Sequence, residues 1–283
     1  MSLVLHRWLK ITLLNLFIVA ALGVVLRYKI AWSLPFIDQK HLLHGHSHFA
    51  FAGWISQAIM VLMVAYLTKE KGVSVFKKYS WLLYANLLTA YSMLIAFPIE
   101  GYGLYSIIFS TLSIIVSYAF AIVYWKDLNR LKNKSVGHKW FKAAVFFNAF
   151  SSLGAFALAI MMVAKIIHQN WYLAAEYFYL HFQYNGWFFF SCMGLVTAQL
   201  FHSAPVLILK RIYLLFAFAV IPAYFLSTLW MNIPVWVYIL VVIAAFAQVA
   251  GWIYMIRLIK NQNAIFKNPF SVTAKWLLGL AAI

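Results

Sequence analysis

The chain alternates long apolar runs with short basic gaps, and this alternation leaves few folds open to it. A helix needs about 20 mostly apolar residues to cross the hydrocarbon layer of a membrane. Eight runs approach that length, at residues 9–26, 46–66, 81–98, 104–125, 143–164, 177–201, 212–230 and 235–256. Residues 276–283 read as the start of a ninth span. Only 10% of the residues are charged and 66% are hydrophobic, whereas a soluble domain carries about 25% charged residues. Lipid is therefore the expected solvent. In lipid every backbone polar group must be satisfied within its own segment or in a closed barrel. Runs of this length predict an all-α, polytopic membrane helix bundle.

The 22 Lys and Arg outnumber the 5 Asp and Glu, for a formal charge of +17. These cations sit in the gaps, where they set orientation. With the N-terminus inside, only Arg27, Lys29, Lys40 and Lys165 fall outside, and the other basic residues fall inside. The bias alternates at every loop and supports eight spans with a cytoplasmic N-terminus. It also removes the need for a nucleic-acid partner; the lipid bilayer is the partner the charge pattern implies. Arg7 and Lys10 precede an apolar run as in a signal peptide, but no small-residue cleavage site follows, so this run is read as a retained span. Cys192 is the one cysteine, which excludes a disulfide within the chain and, with no Cys-x-x-Cys-His, covalent haem attachment. Pro222 is expected to kink the seventh span, and Pro98 to end a helix.

One short sequence occurs twice. His48-Phe-Ala-Phe-Ala-Gly-Trp54 lies on the second span and His181-Phe-Gln-Tyr-Asn-Gly-Trp187 on the sixth. The two spans are four apart and run the same way, the pattern of two parallel four-span repeats, 1–139 and 140–260, with 261–283 beginning a third unit. His48 and His181 should then lie at similar depth in the outer half, where two facing imidazoles could hold a b-type haem. At the 3.6-residue helical period, His181, Tyr184 and Asn185 share a face, as do His48, Phe51 and Ala52. Gly53 and Gly186 permit close approach of a helix or a flat ligand. The second span also carries His41, His44 and His46. His41, His44 and His48 share one face, and His44 and His48 are spaced to chelate a metal ion. Arg27, Lys29 and Lys40 could meet haem propionates, and Asp38, Glu100 and Glu176 could accept from imidazole N–H groups. His6, His138, His168 and His202 read as solvated or helix-capping.

The segment His46-Ser47-His48-Phe49-Ala50-Phe51-Ala52-Gly53-Trp54 resembles one in proteins related to subunit I of haem–copper oxidases, and is similar to membrane haem–copper proteins of the NnrS type. The resemblance implies arcs of four helices, a haem with copper beside it, and ligation by His48 and His181, with His44 and His46 next. It further implies a bacterial cytoplasmic membrane, an electron-donor protein or quinol, and a role in electron transfer or in nitric oxide or oxygen handling or sensing. The chain departs from the oxidases in having no His-His pair and no histidine on the seventh span, and no acidic residue is read deep in any span. Proton-pumping oxygen reduction is therefore not expected. The alternative is a transporter of a metal ion or small solute with a histidine-lined outer mouth.

Overall fold

The computed structural model describes residues 3–200 and 204–261. Its elements in chain order are α1 (Leu3–Ala31), α2 (Gln39–His48), the π-helix π1 (Phe49–Ser56), α3 (Gln57–Lys71), α4 (Phe76–Glu100), α5 (Leu104–Asn129), α6 (Val136–Val163), α7 (Gln169–His181), the π-helix π2 (Phe182–Phe188), α8 (Phe189–Leu200), α9 (Val206–Ala223), a 3-10 turn (Tyr224–Thr228) and α10 (Val235–Asn261). The protein is an all-α polytopic helix bundle. Among the described residues, seven helices are long and apolar enough to cross a membrane, with α2, π1 and α3 counted as one. The run from α7 through α8 is also continuous helix, but its mid-section carries His181, Gln183 and Asn185 and is less apolar. The ninth-span reading and His202 lie outside the described residues.

Large apolar side chains face outward, as lipid allows, and several polar ones are buried among an apolar core. Phe17 is 69% exposed and Leu88 70%, while Asn15, Gln57 and Ser151 are fully buried. The chain divides into two compact units, Met1–Leu195 and Val196–Ile283. The join between the sequence repeats, at 139–140, falls inside the first unit, where α6 packs on α5, α7 and π2. In the second unit α9 packs along α10. Pro222 lies one residue before the end of α9, and the chain tightens there into the 3-10 turn. Proline removes an N–H from the ladder, which accounts for the change of winding. Pro98 sits inside α4, which continues to Glu100 and ends at Gly101, whose φ of +61° suits glycine.

Local chemistry fixes the helix ends of the first unit. Asp38 caps α2 by accepting from the His41 backbone N–H at 2.8 Å. Glu100 accepts from the Ser106 backbone N–H at 2.6 Å and from its hydroxyl at 3.0 Å, in the first turn of α5. Ser135 and His138 form a capping box at the start of α6. The Ser135 N–H donates to Nδ1 of His138, so the ring proton belongs on Nε2, which meets the Tyr66 hydroxyl at 2.6 Å. His138 is thus a capping residue, as its sequence position suggests.

Asp127 lies just beyond the apolar run, near the end of α5. The apolar run ends at 125, but α5 continues to Asn129 and buries Asp127 to 1% exposure. Lys71 lies 3.1 Å and Lys78 2.7 Å from its carboxylate, and Tyr79 donates to it at 2.8 Å. One carboxylate therefore ties together the lysine-rich ends of α3, α4 and α5. Burial without such partners would cost several kcal/mol, of order 3–5.

Candidate functional site

Both copies of the His-Phe-x-(Phe/Tyr)-x-Gly-Trp sequence fold the same unusual way. In each, the histidine is the last residue of an α-helix and the next residue opens a π-helix. π-Helical turns are rare, weakly favoured and concentrated at functional sites. The duplication also extends beyond the short motif. Asn15 on α1 and Asn148 on α6 stand at the same distance before His48 and His181, and each reaches the π-helix of its own copy. Asn15 donates to the Gly53 carbonyl at 2.5 Å and accepts from the Tyr91 hydroxyl at 2.7 Å. Asn148 accepts from the Gln183 amide at 2.9 Å. Neither asparagine stands out in a reading of short motifs; the equal offset is the signal that finds them.

The two copies touch. Phe51 meets Tyr184 edge-on at 5.0 Å between ring centres, and it also contacts Phe188 and Tyr179. Trp187 donates its indole N–H to the Ser56 hydroxyl at 3.0 Å. Phe51 and Tyr184 occupy the same position in each motif, three residues after the histidine. The interface between copies therefore runs through these aromatic rings, and no described contact joins His48 to His181. A face reckoned at the α-helical period does not survive a π-helix, because each turn takes in an extra residue. That is why Phe51 reaches the other copy while His48 turns to α4.

The histidines of the second span divide as their spacing predicts. His41, His44 and His48 point to the end of α4 and the turn after it. His48 lies flat on Phe97, with centres 4.2 Å apart and planes 12° apart. His44 meets Tyr102 edge-on at 4.6 Å. His41 packs against the bare backbone of Gly101, where a β-carbon would stand 2.5 Å from its Nε2. His46 faces α1, with its ring close to Gly23. His181 is buried, with its Nδ1 3.3 Å from the amide nitrogen of Asn185. His44, His46, His48, His41 and His181 therefore do not form one metal site. Among the described residues, no three His, Cys, Asp or Glu side chains come together to hold a metal ion.

The outer charged groups are mostly occupied with structure. Lys29 donates to the carbonyls of Leu34 and Ile37 and so closes the loop before α2. Arg27 and Lys40 are exposed. Tyr184 is half exposed, and its ring contacts Phe51 and Phe188. Burial first, and then the charge of Glu176, push the Tyr102 phenol above its ordinary value, so it stays protonated at neutral pH. The Asp38 carboxyl is held below its ordinary value, chiefly by the His41 backbone N–H.

The two glycines serve different ends. A β-carbon at Gly186 would fall 2.5 Å from Cβ of Phe147, so glycine admits α6 against π2. At Gly53 it would fall 2.6 Å from the ring of Phe49, which covers that backbone. The space over Gly53 is thus filled by the chain itself.

A haem or metal needs an imidazole held in place, often through its second ring nitrogen, and room beside it. The Asn185 contact supplies such a hold for His181, and the Phe97 face, with His44 and Tyr102 beside it, supplies a wall for His48. These contacts hold each imidazole within its own copy. The cavity at the join is about 50 Å³, and neither histidine lines it. A pocket for a drug-sized ligand is about 300–1,000 Å³. No family model, curated protein or solved structure matches the chain.

Proposed function

We propose that this is a membrane haem protein that uses the His-π segments as its ligand-bearing elements, with His48 the principal ligand and His181 its counterpart in the second copy. The observation that carries the reading is the paired geometry: both histidines end an α-helix immediately before a π-helix that an asparagine 33 residues upstream helps to anchor. A rare and weakly favoured winding that occurs twice at the same sequence supports a use for the histidines beyond packing. When bound, the haem supplies one-electron chemistry and binds small gases, and the protein sets its ligation and access. Electron transfer, or nitric oxide or oxygen handling or sensing, follows as the class of activity. A quinol or electron-donor protein is the partner this reading implies, and the bacterial cytoplasmic membrane the location, with copper beside the haem as the resemblance to haem–copper proteins implies.

The test is the haem and metal content of the purified full chain, expressed with ample haem. The reading expects bound haem that falls in His48→Ala and in His181→Ala. Haem-free protein, or haem that both variants retain, would sink it. Passage of a small solute is the second reading, favoured by the polar cavity between the copies. It expects uptake into proteoliposomes by haem-free protein; uptake that survives removal of His41, His44, His46 and His48 would put the path elsewhere than the histidine-lined mouth.

A further inference from the structure

The interior of the first unit is polar where the two copies meet. The cavity there, of about 50 Å³, is walled by Ser56 and Asn86 from the first copy, Ser113 and Ser117 from α5, and Asn148 and Gln183 from the second copy. No Lys, Arg, Asp, Glu or His lines it. A bare ion would therefore sit without a counter-charge in a low-dielectric interior, which is prohibitively costly. What the walls offer is a mixture of amide and hydroxyl donors and acceptors, which suits an uncharged hydrogen-bonding species.

Gln57 does not itself line the cavity, but it is bonded to Asn86, which does. Gln57 is fully buried, and its side-chain oxygen accepts from the Asn86 amide at 2.8 Å. Its own amide nitrogen is buried and has no hydrogen-bond partner among the protein atoms. The same Asn86 amide also donates to the Ala52 carbonyl of π1, at 2.9 Å. The network that pins the first π-helix to the cavity wall is thus short of one acceptor. Buried amides in native proteins find partners, and bound water is the usual one where protein atoms do not serve.

We infer that this cavity is a binding site for water, holding a cluster that bridges Asn86 and Ser56 of the first copy to Asn148 and Gln183 of the second. One water needs at least about 10–15 Å³ of such space and occupies about 30 Å³ in the liquid, so the site takes about two. The cluster supplies a polar contact between the copies that lipid and apolar side chains cannot. It stands apart from the histidines and does not depend on the haem reading.

The test is hydroxyl-radical footprinting of the full chain in lipid nanodiscs by X-ray radiolysis, in which bound waters generate the radicals beside them. Met60 and Met63 lie on α3, at 1% and 0% exposure, and Met60 lines the cavity while Met63 does not. The expected result is that Met60 oxidises several-fold faster than Met63, and that Ser113→Leu, which fills the cavity from α5, brings Met60 down toward Met63. Equal rates in the wild-type chain would overturn the site, and so would a fast Met60 that Ser113→Leu leaves unchanged. If Ser113→Leu does not fold, the wild-type comparison decides alone.

Discussion

The two His-π segments share a sequence and a winding but are held in opposite ways. In the first copy the surrounding helices reach in: Asn15 from α1 and Asn86 from α4 donate to the carbonyls of Gly53 and Ala52. In the second copy the π-helix reaches out, and its own Gln183 donates to Asn148 and Ser151 of α6. The tryptophans differ likewise. Trp187 is fully buried and bonds Ser56 across the join, whereas Trp54 is half-buried. The first copy keeps its backbone fixed from outside and collects histidines at its outer end; the second supplies the join. The two segments share the winding and differ in what holds it.

The largest expected break in this comparison is at the asparagines. Asn15→Leu removes two hydrogen bonds and leaves the Gly53 carbonyl and Tyr91 hydroxyl without that partner, a loss of about 2–4 kcal/mol. Asn148→Leu removes one bond, and Gln183 keeps Ser151, so the loss is about 1 kcal/mol. Thermal unfolding in detergent should rank them in that order; equal losses would mean that the copies are anchored alike. A smaller effect is expected at the tryptophans. Trp187→Phe gives up the bond to Ser56 at about 1 kcal/mol, while Trp54→Phe changes stability by a few tenths. The reverse ranking would place the join on the first copy.

The smallest effect is a pH dependence confined to one copy. Asp38 caps α2, whereas His168, in the corresponding place before α7, makes no side-chain cap. The Asp38 carboxyl is depressed by the His41 backbone N–H. Its contribution is therefore complete above the unfolded value of about 3.9 and is lost as pH falls through the lower folded value. Amide exchange in the first turn of α2 should quicken over that acid range, and the first turn of α7 should not respond. Asp38→Asn should abolish the difference. A first turn of α2 that does not respond to pH would remove the cap from the account.

Much of the architecture was legible because length and charge settle it. The apolar runs correspond to the helices of the described residues, and the shared face of His41, His44 and His48 follows from α-helical spacing alone. The π-helices were not legible, since nothing in Phe-x-(Phe/Tyr)-x-Gly-Trp announces an extra residue per turn. With that winding, Phe51 and Tyr184 meet at the join. Asp127 was hidden because the apolar run stops before the helix does. The cavity escaped notice because its walls are Ser, Asn and Gln scattered over five segments, and only the fold gathers them.

The most direct measurement is a reduced-minus-oxidised absorption spectrum of the wild-type chain, His48→Ala and His181→Ala, purified side by side. Haem ligation in each copy predicts a sharp α-band in the wild type that is diminished in His48→Ala and again in His181→Ala. A wild-type spectrum without the band, or one that neither substitution alters, would contradict it.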